Sequence, residues 1–265
     1  MPMTAQETPS SVVAEPAAIS LPTVEALLDE SAATADQAPP PYRLPLAAMP
    51  GNVLLQSAVM RLVEQKERLD QLARDSALAA LLPPEWRGAH GSDLKAFVRS
   101  VVPFVPEVLK AESASARVPL KFLLGQSQRW GVADVPEPKS LSVYLASDER
   151  GSSGNKDPAE VMLLAPLGVC WAQEGRSRVG FLRAMGVESM AARVTALPYP
   201  APAQLALYHA ASAGVAQIWC VLDRRKVRPL VAPWLSVPLL TAYGVAVPQA
   251  WPAQWPAIET VASAL

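Results

Sequence analysis

Two glycines eleven positions apart, each flanked by apolar runs, constrain this chain more than any other feature. Gly175 and Gly186 lie inside the stretch Gly168–Leu197 and punctuate it as strand, turn, helix, turn, strand. Val169 and Trp171, with the apolar residues before them, predict a short buried strand, and Gly175 supplies a turn at which backbone can approach a ligand closely. Arg176, Ser177 and Arg178 then fall on the first turn of a helix. Phe181, Leu182 and Met185 give that helix its apolar stripe, and Gly186 stands where a left-handed carboxyl-terminal cap belongs. The following strand is expected over Ser189 to Leu197.

Backbone N–H groups at a helix start, with the positive end of its dipole, form an anion site, and arginines placed there can grip phosphate oxygens. Gly175, Arg176, Ser177 and Arg178 are therefore candidate nucleotide- or phosphate-binding residues. The alternative reading makes the two arginines solvated first-turn residues, a poor match to a dipole that prefers acids at that end.

The same residues resemble the nucleotide-binding domain of ParB-type partition proteins and the related sulfiredoxins. In both groups a strand ends in a Gly-x-x-Arg turn that opens a helix, a second glycine closes the helix, and a strand with a small residue before its apolar run follows. Here these features fall on Gly175-Arg176-Ser177-Arg178, Gly186 and Ala192-Arg193-Val194. The likeness spans about thirty residues closely, and Leu141 to Val247 loosely. Arg176 stands where sulfiredoxins carry their catalytic cysteine, so peroxiredoxin repair is not expected. Arg176 also replaces an acid of the ParB proteins, and Ser177 replaces their second arginine, which argues against metal-assisted CTP hydrolysis. The resemblance implies an α+β, ParB/sulfiredoxin-like domain over about 140–250, with CTP or ATP and magnesium as the implied ligands. Some plasmid fertility-inhibition proteins are similar to this superfamily and act on conjugative DNA transfer. The expectation is thus an accessory protein of a plasmid or other mobile element, working through a protein partner such as a conjugative transfer component. The alternative is a nucleotide-dependent DNA-binding partition protein or nuclease of the ParB type.

Charge is distributed unevenly. The formal net charge of the 265 residues is -1, yet positions 1–42 hold six acids (Glu7, Glu15, Glu25, Asp29, Glu30, Asp36) and neither lysine nor arginine. Between Gln173 and Arg228 stand eight basic residues against three acids, so positive charge gathers around the glycine-bracketed helix and favours an anionic partner. Arg224, Arg225 and Lys226 form the tip of an expected hairpin between the runs Gln217–Leu222 and Val227–Val231. They are candidate DNA contacts, or else a solvated turn.

Residues 1–48, rich in Ala, Pro, Ser, Thr and acids, read as a disordered acidic arm. Within it, Thr23–Glu30 is a short acidic amphipathic segment able to fold against a partner, and Pro39-Pro40-Pro41 reads as an extended spacer. Residues 50–135 read as a helical region. A helix is expected over Asn52–Leu82 on Val59, Leu62, Val63, Leu69, Leu72 and Ala73, with Glu64, Lys66, Glu67, Arg68 and Asp70 on its other faces. A second runs from an N-cap at Ser92 to Pro103, and a third from Pro119 to Trp130. The mixed region, 139–265, opens with an alternating strand over Leu141–Leu145 and a loop over 147–157 that lacks P-loop spacing. Asp148, Glu149 and Glu174 are possible cation ligands there, since a hard cation needs carboxylates near phosphate. Further strands are expected over Val161–Ala165 and Gly168–Gln173, and a helix over Pro202–Ala213.

Cys170 and Cys220 lie in apolar strand-like runs, the ordinary setting of buried free thiols. With His90 and His209 far apart and without Cys-x-x-Cys spacing, no zinc pattern is present. The absence of a basic, apolar leader fits a cytoplasmic protein. Pro229 to Ile258 contains no charged residue but six prolines, which exclude a membrane-spanning helix there. That stretch, with Val237–Tyr243 as a helix, either packs on the domain or offers Trp234, Trp251 and Trp255 to a partner, Trp251 and Trp255 being the candidate contacts.

Overall fold

The computed structural model describes residues 52–262, apart from 74, 81, 83, 89–90, 108–112, 127–131, 148–158 and 213. The acidic arm, the segment Thr23–Glu30, His90, Asp148 and Glu149 lie outside the described residues. Within them the chain is an α+β structure with seven helices. Its strands form a five-stranded sheet, a four-stranded sheet and a short hairpin of β1 (Arg87–Gly88) with β2 (Gly91–Ser92).

The described residues open with α1 (Val53–Leu72). Asn52 caps it: the side-chain oxygen accepts from the Leu55 N–H at 3.0 Å, while its amide donates to the Ala242 carbonyl at 3.0 Å, 190 residues away. The buried stripe of α1 is Leu55, Val59, Leu62, Val63, Lys66 and Asp70, so the expected polar face is corrected at two positions. Lys66 and Asp70 continue the apolar stripe at helical spacing, whereas Leu72 is exposed. The pair is tolerable inside because the ammonium meets both carboxylate oxygens, at 2.7 and 2.8 Å, and sits 5.7 Å from the Phe97 ring centroid. Burial pulls the Lys66 pKa down, and Asp70 opposes that pull.

After the one-turn α2 (Ser76–Ala79), α3 (Leu94–Val101) buries Leu94, Phe97, Val98 and Val101. Its N-cap is Asp93, whose side chain accepts from the Ala96 N–H at 2.7 Å, one position beyond the expected Ser92. The helix expected over Pro119–Trp130 is replaced, over its described residues, by the end of β3 (Ser113–Pro119), a single 3₁₀ turn and β4 (Leu123–Leu124). Leu120, Phe122, Leu123 and Leu124 are apolar enough for either structure. Sheet pairing decides the matter, because β4 pairs with Cys170 and Trp171 and β3 pairs with Ser189 to Thr195.

The five-stranded sheet runs β3-β7-β5-β6-β4, with β5 (Ala159–Ala165), β6 (Val169–Ala172) and β7 (Ser189–Pro198) at its centre. β5 and β6 form an antiparallel pair; α5 (Arg176–Ala184) then carries the chain across to β7, which lies parallel to β5. The expected strand, glycine turn, helix and strand are all present. Gly186 (φ +71°) ends α5 with its N–H on the Arg183 carbonyl and the Val187 N–H on the Leu182 carbonyl, a Schellman cap.

Two further expectations are corrected. Leu141–Leu145 is not a strand but part of α4 (Pro138–Ala146), which Pro138 starts and which buries Ser142, Leu145 and Ala146 at i, i+3 and i+4. The alternation that suggested a strand is unused, since Val143 faces solvent. Pro202–Ala213 is not a helix: after a 3₁₀ turn, β8 (Leu205–Ser212) pairs along its length with β9 (Val215–Leu222). Eight residues of cross-strand partners outweigh the helix propensity of its alanines and leucines.

The four-stranded sheet runs β10-β9-β8-β11, completed by β10 (Lys226–Pro229) and β11 (Gln249–Ala250). Its side chains alternate as the pleat requires. Leu205, Leu207 and Cys220 join the main core, while Trp219, Val221 and Val227 join a separate small cluster with Ile258 of α7 (Ile258–Ala262). Between β10 and β11, α6 (Pro233–Tyr243) buries Leu235, Leu239, Leu240 and Tyr243 and packs on α1. Among the described residues no helix is long and apolar enough to cross a membrane.

Candidate functional site

The register of the five-stranded sheet builds the site. Parallel pairing sets Glu160 of β5 beside Arg193 of β7 and Met162 beside Thr195; antiparallel pairing sets Met162 beside Trp171 and Ser113 beside Thr195. One sheet face therefore shows a polar and charged row next to a partly apolar one. α3 and the segment Val105–Glu107 stand across from that face, and the space between them is a cleft of about 710 Å³. Four cations line it: Lys95 and Arg99 from α3, Arg176 from the start of α5, and Arg193 from β7. Glu107 and Glu160 are its acids.

The glycine-bracketed helix enters the cleft by its amino-terminal end. Gly175 is its N-cap, with φ +83° and no side-chain cap on the first turn. A Cβ at Gly175 would stand 3.0 Å from the Ala159 Cβ, so the residue is required both for its left-handed backbone and for its close approach to β5. The Gln173 and Glu174 N–H groups both reach the Glu160 carbonyl, at 2.8 and 3.2 Å, and fix the turn to the sheet. Arg176 is exposed, and its Nε donates to the Ala172 carbonyl at 3.4 Å.

The cleft's ion pairs are loose. Arg99 lies 3.8 Å from Glu107 and Arg193 lies 3.8 Å from Glu160, distances beyond a hydrogen bond and between side chains that are largely exposed. Such pairs contribute about 0–1 kcal/mol each, so an incoming anion meets little competition for the guanidinium donors. By contrast Arg183, two turns along α5, is committed to structure. It is paired with Glu67 of α1 and donates to the Leu120 and Leu123 carbonyls. Burial pulls its pKa down, and Glu67 opposes the shift.

Of the four motif residues, Arg176 lines the cleft; Ser177 and Arg178 are half-buried on the following positions of the helix, and Arg178 has partners of its own. Glu174 is exposed beside the turn. Among the described residues no group of three His, Cys, Asp or Glu could hold a metal ion. Arg224, Arg225 and Lys226 are all exposed on the turn between β9 and β10, where Asp223 and Arg224 have positive φ. Arg228 lies 5.9 Å from the Phe104 ring centroid, next to the cleft segment that starts at Val105. Trp251 and Trp255 pack edge-to-face on each other and on Tyr208, with centroids 5.2 to 5.7 Å apart. Cys170 and Cys220 are buried free thiols, each with its pKa pushed up to about 12 by burial.

Sequence reasoning missed Lys95, Arg99, Glu160, Arg193 and Thr195 as site residues. Arg193 and Thr195 carried a usable signal, since they alternate with the inward Ala192 and Val194. Lys95 and Arg99 carried none, because only the tertiary placement of α3 brings them to the sheet. Compared with protein-family models, with curated proteins and with solved structures, the chain returns no match.

Proposed function

We propose that this chain is a phosphate- or nucleotide-binding accessory protein of a plasmid or other mobile element, acting through protein contacts to regulate conjugative DNA transfer. The ligand half of this reading is carried by one observation: four basic side chains from three separate elements converge, with the uncapped start of α5, on a single cleft. The transfer half is supported by the resemblance of Gly175–Arg178, Gly186 and Ala192–Val194 to ParB/sulfiredoxin domains. Arg176, standing where those domains carry an acid or a cysteine, favours binding over catalysis. A phosphate group would sit at the α5 start between Arg176 and Arg193, and CTP or ATP with magnesium is the ligand the resemblance suggests.

Calorimetric titration with CTP and then ATP in magnesium tests this reading. Arg193→Ala is expected to lose roughly tenfold or more in affinity, as removal of a charge-assisted contact of about 1.5–3 kcal/mol requires. Arg178→Ala separates the cleft from the bare motif: equal losses in both variants would place the ligand over the helix start, and a loss only in Arg193→Ala would place it deeper. No binding by the wild-type protein would remove the reading.

The exposed basic turn at Arg224, Arg225 and Lys226 favours a second reading, a nucleotide-dependent DNA-binding protein of the partition type. Its affinity for duplex DNA would fall steeply with salt, and a flat salt response would dismiss it.

A further inference from the structure

We propose that the acidic amino-terminal segment Thr23–Glu30 of the same chain docks in the cleft between α3 and the five-stranded sheet and competes there with anionic ligands. Two complementarities support it. The cleft pairs a floor that includes Met162, Trp171 and Leu197 with a rim of four cations, Lys95, Arg99, Arg176 and Arg193, against two acids, Glu107 and Glu160, held only loosely by Arg99 and Arg193. The segment carries the inverse pattern: wound as a helix, Val24, Leu27 and Leu28 fall on one face, and Glu25, Asp29 and Glu30 flank it on either side. Apolar residues can then meet the floor while carboxylates reach both walls. The first 42 residues contain no lysine or arginine, so no basic side chain on either side of the segment up to Tyr42 opposes its attraction to the rim.

The connection is long enough. The Lys66 ammonium lies 5.7 Å from the Phe97 ring centroid of α3, the helix that walls the cleft, so α3 meets α1 roughly 20 Å from Asn52 at 1.5 Å per helical residue. The residues between Glu30 and Asn52 can extend to about 70 Å. A tethered segment of this kind works at high effective concentration, so weak contacts suffice to hold it. The exposed turn at Arg224–Lys226 also attracts acids, but it is a convex tip with no apolar floor to receive Leu27 and Leu28.

The docking stands on charge and shape alone; the competition rests also on the phosphate reading of the cleft. Carbodiimide coupling of the full-length protein, followed by mass spectrometry, tests the docking. Links from Glu25, Asp29 or Glu30 to Lys95 within one chain are expected. Links to Lys226 instead, links found only between copies in a mixture of isotopically labelled and unlabelled protein, or no link at all would overturn it. Titration with inorganic pyrophosphate tests the competition. An arm that fills the cleft nine-tenths of the time lowers apparent affinity about tenfold, so a Glu25→Gln, Asp29→Asn, Glu30→Gln variant is expected to bind about tenfold more tightly. Equal affinity of variant and wild type would overturn the competition. Failure of both proteins to bind pyrophosphate would overturn the phosphate reading, while the coupling result would still decide the docking.

Discussion

The two large sheets of this protein handle polarity in opposite ways. The five-stranded sheet gathers charge: the buried Lys66–Asp70 pair, the Arg183–Glu67 pair and the loose ion pairs of the cleft all lie on or beside it. The four-stranded sheet carries its charge only at the β9–β10 turn and along β10, and its outer face is closed by aromatic edges, with Tyr208, Trp251 and Trp255 above Trp219 and Ile258. The chain entering that second cluster is free of charge from Pro229 to Ile258. One sheet thus exposes cationic donors along a cleft. The other spends its tryptophans on its own cover, with Trp251 further fixed by donating to the Pro256 carbonyl at 3.0 Å.

The sharpest way to break this contrast is to attack the charge that the first sheet needs for its fold. Arg183→Met would strand Glu67 and leave the Leu120 and Leu123 carbonyls unpaired, at a cost of about 3–5 kcal/mol, read as a lower midpoint in urea unfolding. On the second sheet, Trp255→Ala removes a half-buried ring from the aromatic cluster and is expected to cost about 2–3 kcal/mol while leaving ligand affinity at the cleft unchanged. A loss of affinity in that variant would show that the two sheets are coupled.

Between the two glycines of the motif the expected costs differ. Gly175→Ala meets both a left-handed backbone and the Ala159 Cβ, so it should exceed the strain of about 1–2 kcal/mol that either site carries. Gly186→Ala enters open space and should cost only that strain. Thermal unfolding of the two variants side by side measures the difference, and equal costs would mean that the approach of α5 to β5 is loose.

The smallest effect concerns pH. Burial raises the pKa of Cys170 and Cys220 from 9.0 to about 12 and that of Tyr243 from 10.0 to about 12, and pushes Tyr199 up as well. The unfolded chain therefore loses these protons first. Their contribution to stability is complete below the unfolded values and declines as pH rises from 9.0 toward about 12. Lys66, whose pKa burial lowers, acts in the opposite sense up to its ordinary 10.5, so urea midpoints are expected to fall clearly once pH passes 10.5; a midpoint that rises there would contradict the burial of the thiols and tyrosines.

Much of the centre of the fold was legible because glycine and apolar spacing act locally. Gly175, Gly186 and the stripe Phe181, Leu182 and Met185 define a helix whatever surrounds them, and the structure places it at Arg176–Ala184. The hairpin around Arg224 and the later part of α6, expected over Val237–Tyr243 and found over Pro233–Tyr243, were readable from their apolar runs. Legibility failed where pairing partners decide. Leu141–Leu145 alternates like a strand, yet Pro138 and burial of Leu145 and Ala146 make it a helix; Leu205–Ser212 has helical composition, yet β9 recruits it as a strand. Lys66 and Asp70 look like surface residues of a helix, and only their mutual contact and the Phe97 ring explain their burial. For the site, the sequence offered the start of α5. The three other cations depend on where α3 and β7 come to rest, and of these only Arg193 left a local trace, in its alternation with the buried Ala192 and Val194.

On the proposed reading the cleft, rather than the basic hairpin turn, takes the anion. Amide chemical-shift mapping of the isotopically labelled full chain with pyrophosphate tests it most directly. Saturable shifts are expected at Arg176, Ser177, Arg193 and Thr195, with Arg224, Arg225 and Lys226 unmoved. Shifts confined to the hairpin turn, or none at all, would contradict it.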